Sequence, residues 1–134
     1  MPEEAGDVRA AHWGGSPLAN ARGSGGGYER GPFDVTIQVA EVERAEPFPE
    51  ANKPELVKLW LDLREETRQS AAQLGYHHDA ADLVGRQVLC ATDLGSVRIA
   101  GFRSEALTVG VPGDDGNPVL VVPGDEVPLG GELY

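Results

Sequence analysis

The chain has 134 residues, which fits one domain, and its single cysteine, Cys90, excludes an internal disulfide framework. It carries 22 acidic and 11 basic residues, for a net charge of −11. No apolar run approaches the roughly 18 residues that a membrane span needs, and the N-terminus lacks the apolar core of a signal peptide. These features predict a cytoplasmic protein with no membrane insertion, in which Cys90 is a buried, unreactive group.

The acidic charge belongs mostly to the second part of the chain. Residues 33–134 hold 18 acids and 8 bases, which gives −10, and the only lysines are Lys53 and Lys58. Such a segment repels nucleic acid at long range unless its bases are clustered or salt screens the rest. Many acids with almost no lysine are also expected of a protein that works in concentrated salt. Ordinary acidic solubility is the alternative, and solubility measured up to molar salt separates the two.

The first 32 residues differ in composition from everything that follows. They hold eight glycines and three prolines among small and polar residues. This composition cannot bury enough apolar surface to offset the entropy cost of ordering the chain. We therefore predict a disordered tail over 1–32 and one folded domain over 33–134.

The folded part begins with two predicted strands. From Phe33 the apolar residues alternate, and the alternation slips by one position at Val42, which predicts a bulge near Ala40-Glu41. Proline ends this strand at Pro47. The second strand, over 56–64, alternates strictly. Its core face is Val57, Leu59, Leu61 and Leu63, and its solvated face is Lys58, Trp60, Asp62 and Arg64.

The remaining elements are short. We predict a strand over 67–70 that runs into one helical turn over 71–74, and a second helical turn over 79–85 that ends at a glycine. Further strands are predicted over 87–92, 104–111 and 119–122, with a loop over 94–97. The last residues, 127–134, keep apolar side chains to the end, which predicts packing on the domain or on a second copy. Five or six short strands indicate a small all-β barrel or sandwich.

Residues suited to catalysis are few. His77-His78 is the only histidine pair, no third ligand stands at metal spacing, and no cysteine pair exists for zinc. The glycines of 23–27 follow no predicted strand and open no helix, so they do not form a phosphate-binding loop. We expect no enzyme, no metal and no cofactor.

Residues suited to binding are better represented, above all in the stretch 98–110. Arg98, Arg103, Ser104 and Glu105 crowd polar groups ahead of the alternating Leu107 and Val109. Bases also flank 68–73 and the start of the second strand. Lysine and arginine can meet phosphates, serine and glutamine can hydrogen-bond bases or riboses, and Trp60 can stack on a base. The alternatives are solvated charges among many acids and, for Trp60, a dimer interface.

Four segments, in this order and spacing, resemble the free-standing tRNA-binding domains of the CsaA type. They are 46–54 followed by Lys58-Leu59-Trp60; 69–73; 83–88; and 98–107, an R-x-x-G-x-x-S-E-x-L run. The ending 127–131 is also similar to that of the family. The same domain is appended to some aminoacyl-tRNA synthetases. The N-terminal tail has no counterpart in the resemblance.

The resemblance implies a five-stranded OB-fold barrel, a homodimer, and tRNA binding without catalysis. It also implies an alternative role as an export-related chaperone that binds unfolded or precursor peptides. Together with the chemistry of the residues, it gives this predicted RNA-binding set: Lys53, Lys58, Trp60, Arg68, Ser70, Gln73, Arg98, Arg103 and Ser104.

The chain departs from the family pattern at several positions. Ala40 stands where a bulge glycine is usual, Asn52 replaces an arginine, Ala71 a serine, and Asp93 an asparagine. A basic residue is also missing near Gln38. Fewer bases weaken the case for phosphate binding. Two functions remain open: tRNA binding, which salt weakens steeply, and peptide binding in an apolar groove near Trp60 and Phe102, which salt does not weaken.

Overall fold

The computed structural model describes residues 33–53 and 55–134, so the predicted tail over 1–32 lies outside the described residues. Its main feature is a five-stranded antiparallel sheet that curls into a nearly closed barrel. The strands of the barrel are β1 (Ile37–Pro47), β2 (Val57–Asp62), β3 (Thr67–Ala72), β4 (Gln87–Ala91) and β7 (Leu107–Thr108). Their order in the sheet is β3-β2-β1-β4-β7. The all-β barrel prediction is confirmed.

Two small hairpins and two short helical segments complete the domain. The hairpins are β5 (Val97–Ile99) with β6 (Phe102–Ser104), and β8 (Gly110–Pro112) with β9 (Pro118–Leu120). A 3₁₀ turn spans Pro49–Ala51 and the helical turn α1 spans Ala80–Leu83, within the predicted 79–85. No helix among the described residues is long and apolar enough to cross a membrane.

The long strand β1 bends by means of a bulge. It pairs with β4 over 37–41 and with β2 over 41–47, and the register shifts between Val42 and Arg44. The bulge therefore lies two to three residues later than predicted. The extra residue, Glu43, lets Val42 remain fully buried while Arg44 turns outward.

Strand β2 has the predicted faces: Val57, Leu59 and Leu61 are buried and the residues between them are half-buried. The predicted helical turn over 71–74 is wrong at its start, because β3 continues through Ala72. Ala71 and Ala72 pair with Lys58 and Val57 of β2, so the cross-strand ladder overrides the local helix preference of alanine.

The segment 94–111 differs most from the prediction. In place of a loop and one long strand, it forms the β5–β6 hairpin, then β7, then β8. The hairpin turn is Ala100-Gly101, with φ of 46° and 84°, as a type I′ turn requires. Glycine adopts this conformation freely and alanine does not, which hides the turn from sequence reasoning.

The C-terminal run, which was predicted to pack on the domain or on a second copy, packs on the barrel. Gly130 N–H donates to the Val39 carbonyl at 2.8 Å, and Leu133 N–H donates to the Ile37 carbonyl at 2.8 Å. The side-chain amide of Gln87 makes two hydrogen bonds to the backbone of Val127, as a neighbouring strand would. Its Nε2 donates to the Val127 carbonyl and its Oε1 accepts the Val127 N–H. The final residue, Tyr134, is 95% exposed.

The core has two parts. The larger lies inside the barrel and includes Leu59, Leu61 and the fully buried Cys90. Burial raises the pKa of the Cys90 thiol to about 12, which makes it the inert group predicted from the sequence. The smaller part lies outside the barrel, where the β5–β6 hairpin and the 3₁₀ turn cover part of β2 and β3. It contains Phe48, Ala51, Leu56, Ala71 and Ile99.

Candidate functional site

Three aromatic rings form a cluster on the outer side of the barrel. Phe102 of β6 meets Phe48 and Trp60 edge to face, with ring centroids 5.5 and 5.7 Å apart. Trp60 is on the half-buried face of β2, and Phe102 reaches it because the hairpin folds over β3. Phe48 is buried, so Trp60 and Phe102 form the accessible part of the cluster.

Two cations lie over these rings. The Lys58 Nζ is 4.8 Å from the centroid of Phe48 and 5.4 Å from that of Phe102. The Arg44 guanidinium is 4.3 Å from the centroid of Trp60, and Glu46 accepts hydrogen bonds from its Nε and Nη2. Each cation is attracted by the negative face of a ring, which keeps it in place without removing its charge.

Arg44 was missing from the predicted set. It stands directly opposite Trp60 in the β1–β2 ladder only because the bulge at Glu43 shifts the register. The slip in the alternation of apolar residues is the sequence signal for this bulge. The bulge was predicted two to three residues too early, so the prediction did not place Arg44 beside Trp60.

The hairpin adds two more arginines. Arg98 and Arg103 are directly opposite each other in the β5–β6 ladder and both are exposed. Arg98 donates to the carbonyl of Gly101 at 3.3 Å, and the Arg103 Nε is 3.8 Å from a carboxylate oxygen of Glu105. Two like charges across a ladder repel each other, so this pair favours an anion between or beside them. Alternation along β6 turns Arg103, together with Arg98, to the side of the hairpin opposite Phe102. We call Arg44, Lys58, Trp60 and Phe102, with the adjoining Arg98 and Arg103, the aromatic face.

Other predicted site residues lie in a different place, where the free edge of β3 meets residues 104–108. The Arg68 guanidinium donates to the carbonyls of Thr92 and Glu105 at 2.6 and 3.2 Å and pairs with Glu66 at 3.1 Å. Its side chain is 27% exposed, against 55% for Arg103. Arg68 therefore ties β3 to the ends of β4 and β6.

The hydroxyls of Ser70 and Ser104 are also engaged at this junction. Ser70 Oγ is 2.9 Å from the hydroxyl of Thr108, and Ser104 Oγ accepts the backbone N–H of Ala71 at 3.1 Å. Both serines have no exposed surface. A ligand on the outside of this structure does not reach them.

Glu105 completes the junction. Its backbone N–H donates to the carbonyl of Gln69, and its carboxylate accepts the N–H of Gln69 at 3.0 Å. Ser104 and Glu105 thus satisfy the open edge of β3 with side-chain acceptors, which is how the barrel closes without a full ladder. We call Arg68, Gln69, Ser70, Ser104, Glu105 and Thr108 the seam.

The last two predicted residues are separated from each other. Lys53 is half-buried on the loop that joins the 3₁₀ turn to β2, close in the chain to the aromatic face. Gln73 follows β3 and lines an apolar cavity of about 230 Å³ between β3 and the β8–β9 hairpin. Leu56, Leu74, Val109, Val111 and Pro118 also line that cavity.

His77 and His78 bind residues in and beside the β8–β9 hairpin. His77 Nε2 is 3.1 Å from Asp115, and His78 Nε2 accepts the N–H of Leu120 at 3.4 Å. Burial, followed by the charges of Arg86 and His77, lowers the pKa of His78. Hydrogen bonds from Asn117 and His77 lower the pKa of Asp115 to about 2. Among the described residues, no three histidine, cysteine or acidic side chains form a group that could hold a metal ion.

The chain is similar to known proteins in sequence and in fold. Residues 37–132 match a family model described as "Putative tRNA binding domain". The methionine–tRNA ligase of Bacillus subtilis is 39% identical over 75 residues, which are 56% of this chain and 11% of the ligase. The chain thus spans about a tenth of the length of that relative.

Two solved chaperone structures have the same fold. The CsaA chaperone of Bacillus anthracis superposes with a TM-score of 0.66 and 30% identity, covering 75% of this chain and 90% of the other. The CsaA chaperone of Picrophilus torridus gives 0.67 and 25%, covering 75% and 92%.

Proposed function

The chain belongs to the family of tRNA-binding domains, and from that premise we propose that it is a non-catalytic protein that binds tRNA through its aromatic face. The observation that carries the proposal is the position of the bases. Of the eight in residues 33–134, five lie on or beside the aromatic face: Arg44, Lys53, Lys58, Arg98 and Arg103. The rest of the domain is strongly acidic.

Clustering answers the objection that a domain of net charge −10 repels RNA. Beyond a Debye length, about 8 Å at physiological ionic strength, the distant acids are largely screened. Within that distance of the hairpin a phosphate meets the exposed Arg98 and Arg103, and the Lys58 ammonium lies by the rings on the other side of the hairpin. Trp60 and Phe102, with the cations that lie over them, add a surface on which bases can stack, which is worth about 1–3 kcal/mol for each stacked base.

The proposed set of RNA-binding residues is smaller than the predicted one. It keeps Lys53, Lys58, Trp60, Arg98 and Arg103 and adds Arg44 and Phe102. It leaves out Arg68, Ser70 and Ser104, because their polar groups already bind partners in the seam. Gln73 is also left out, since it lines the cavity on another part of β3.

Salt-dependent tRNA binding tests the proposal. Removal of one phosphate-binding side chain reduces the slope of log K against log salt by about 0.7–0.9. The Arg98→Ala/Arg103→Ala variant is therefore expected to bind tRNA at least tenfold more weakly, with a slope smaller by about 1.5. Fluorescence anisotropy with labelled total tRNA between 50 and 300 mM salt, about the range in which such slopes are measured, gives both quantities.

Arg64→Ala/Arg86→Ala is the matched control. It removes the same charge from two exposed arginines outside the aromatic face. Equal decreases in affinity in the two double variants contradict the assignment of the face, and an absence of tRNA binding by the unmutated protein contradicts the function.

A second candidate is CsaA-like binding of unfolded or precursor peptides, favoured by the apolar cavity between β3 and the β8–β9 hairpin. Val111, on its rim, is 50% exposed. The aromatic face suits this role less, because cations cover its rings. Peptide binding in the cavity is expected to hold or strengthen as salt rises and to be abolished in Val111→Glu, while tRNA binding is unchanged. A Val111→Glu protein that binds peptide as the unmutated protein does contradicts the second candidate.

We also propose that the protein is a homodimer. Leu133 and Tyr134, at the end of the run that pairs with β1, are 39% and 95% exposed, so the apolar C-terminus presents an uncovered edge. Sedimentation velocity is expected to give a dimer that the Leu133→Ser/Tyr134→Ser variant converts to a monomer. A monomeric unmutated protein at micromolar concentration contradicts this proposal.

A further inference from the structure

Within the proposed tRNA-binding function, on which this inference rests, we propose that Arg44 is a stacking platform for one unpaired base of the RNA, and that Glu46 is the residue that positions it. The aromatic face would then take a single-stranded segment, such as a loop or an end, and not the surface of a duplex.

The position of Arg44 is the first support. Its guanidinium lies over Trp60 at 4.3 Å, and the side chain is 61% exposed. One side of the guanidinium is thus occupied by the indole, and the side chain still offers much of its surface to solvent. Arginine guanidinium planes stack on bases much as aromatic rings do.

The bond to Glu46 is the second support. A single carboxylate oxygen accepts from both Nε and Nη2 of Arg44, from a residue two positions along the same strand. This pairing uses the guanidinium edge and leaves the side away from Trp60 uncovered. It also places a carboxylate against the charge of Arg44, which makes Arg44 a poorer ligand for a phosphate than Arg98, which is in no salt bridge among the described residues. An oriented, planar group whose charge is partly offset by a carboxylate is suited to a base.

The neighbouring residues fit the rest of one nucleotide. Lys58 is directly opposite Glu46 in the β1–β2 ladder and lies over Phe102. Its ammonium takes part in none of the salt bridges among the described residues. A base on Arg44 therefore has a phosphate partner at the next rung of the sheet.

Single-stranded RNA follows from this geometry. Bases in a duplex are already stacked on each other, and the A-form major groove is too narrow for side chains to read. A flat group at the surface of a sheet meets a base only where the base is unstacked. The aromatic face is thus expected to prefer an unpaired decamer to the same decamer annealed to its complement.

Two substitutions separate stacking from charge. Arg44→Lys keeps the charge and removes the planar group. We expect it to bind the single-stranded RNA decamer about tenfold more weakly, and the duplex within twofold of the unmutated protein. Glu46→Gln makes the domain less acidic, so a purely electrostatic role raises its affinity for RNA. If Glu46 positions Arg44, affinity for the single strand falls instead.

Fluorescence of Trp60 gives a direct readout. The chain has two tryptophans, so the Trp13→Phe protein reports on Trp60 alone. Titration with the single strand is expected to change this emission, and Arg44→Lys is expected to reduce the change. Arg86→Lys is the control, and urea midpoints show that each variant is folded.

Three results would overturn the inference: a preference of the unmutated protein for the duplex, an Arg44→Lys affinity equal to the unmutated one, or tighter single-strand binding by Glu46→Gln. In each case intact, salt-dependent tRNA binding leaves the proposed function standing. An absence of all RNA binding by the unmutated protein overturns both. Quenching of Trp60 by peptide and not by RNA would show that the aromatic face binds peptide, and this also overturns the inference.

Discussion

The seam and the aromatic face are built from similar residues and use them in opposite ways. In the seam, Arg68, Ser104 and Glu105 bind the backbone of neighbouring strands; Ser104 is buried and the other two are half-buried. In the aromatic face, Arg44, Lys58 and Arg103 lie over rings or extend into solvent. The same kinds of polar groups close a barrel in one place and remain available to a ligand in the other.

The stretch 98–105 shows how closely the two regions are joined. Arg98 and Arg103 point away from the barrel, whereas Ser104 and Glu105, the next residues, enter the seam. Adjacent strand residues face opposite sides of a sheet, so Arg103 and Ser104 of β6 belong to different regions. Glu105 follows the end of β6 and joins Ser104 in the seam. A motif that marks a binding family can therefore contain residues whose polar groups have partners within the fold.

The largest effect is expected from Arg68→Met, which keeps the apolar stem and removes the guanidinium. The carbonyls of Thr92 and Glu105 lose their donor, and the free energy of unfolding falls by about 2–4 kcal/mol. Urea denaturation measures it. Labelling of the buried Cys90 thiol, which lies near the seam, is expected to become faster. A change below about 0.5 kcal/mol, which is typical of a surface substitution, would show that Arg68 does not stabilise the seam.

A smaller effect is expected at the buried hydroxyl pair. Ser70→Ala leaves the Thr108 hydroxyl without its partner and lowers stability by about 1–2 kcal/mol. The double variant Ser70→Ala/Thr108→Val removes both polar groups and is expected to cost less than the sum of the single changes. Additive decreases in a denaturation cycle indicate that the two hydroxyls do not depend on each other.

The turn of the β5–β6 hairpin offers a stabilising change of about 0.5–1 kcal/mol. Ala100 has φ of 46°, a conformation that asparagine tolerates better than alanine, and Asn-Gly is the preferred sequence of a type I′ turn. Ala100→Asn should raise the thermal midpoint and leave tRNA affinity within twofold. A lower midpoint contradicts the type I′ turn.

The smallest change in stability is expected on the aromatic face itself. Arg103→Thr relieves the repulsion across the hairpin from Arg98 and raises stability by about 0.2–0.5 kcal/mol. The same change is expected to weaken tRNA binding. A decrease in both stability and binding shows that Arg103 belongs to the fold, and the contrast between the two regions then fails.

Much of the fold was predictable because strand alternation is a local property. Val57, Leu59 and Leu61 alternate with half-buried residues, and that pattern alone sets their burial. The packing of the C-terminal run and the burial of Cys90 were also predictable from local sequence, because apolar neighbours indicate a buried segment.

The site was predictable in part. Trp60 and Lys58 follow from the outer face of β2, and Arg98 and Arg103 from their polar setting. Arg68, Ser70 and Ser104 are chemically as suited to a phosphate as to a carbonyl or hydroxyl, so their residue types do not show which partner they have. The position of Arg44 opposite Trp60 depends on the exact residue at which β1 bulges.

The sequence by itself determined an all-β domain, the two faces of β2, and membership in a tRNA-binding family. Only the tertiary structure decided that Ser104 and Glu105 close the edge of β3 and that Arg44 lies on Trp60. The physical reason is distance along the chain: alternation is set by adjacent residues, whereas these contacts join residues 16 to 36 positions apart through strand register and barrel closure.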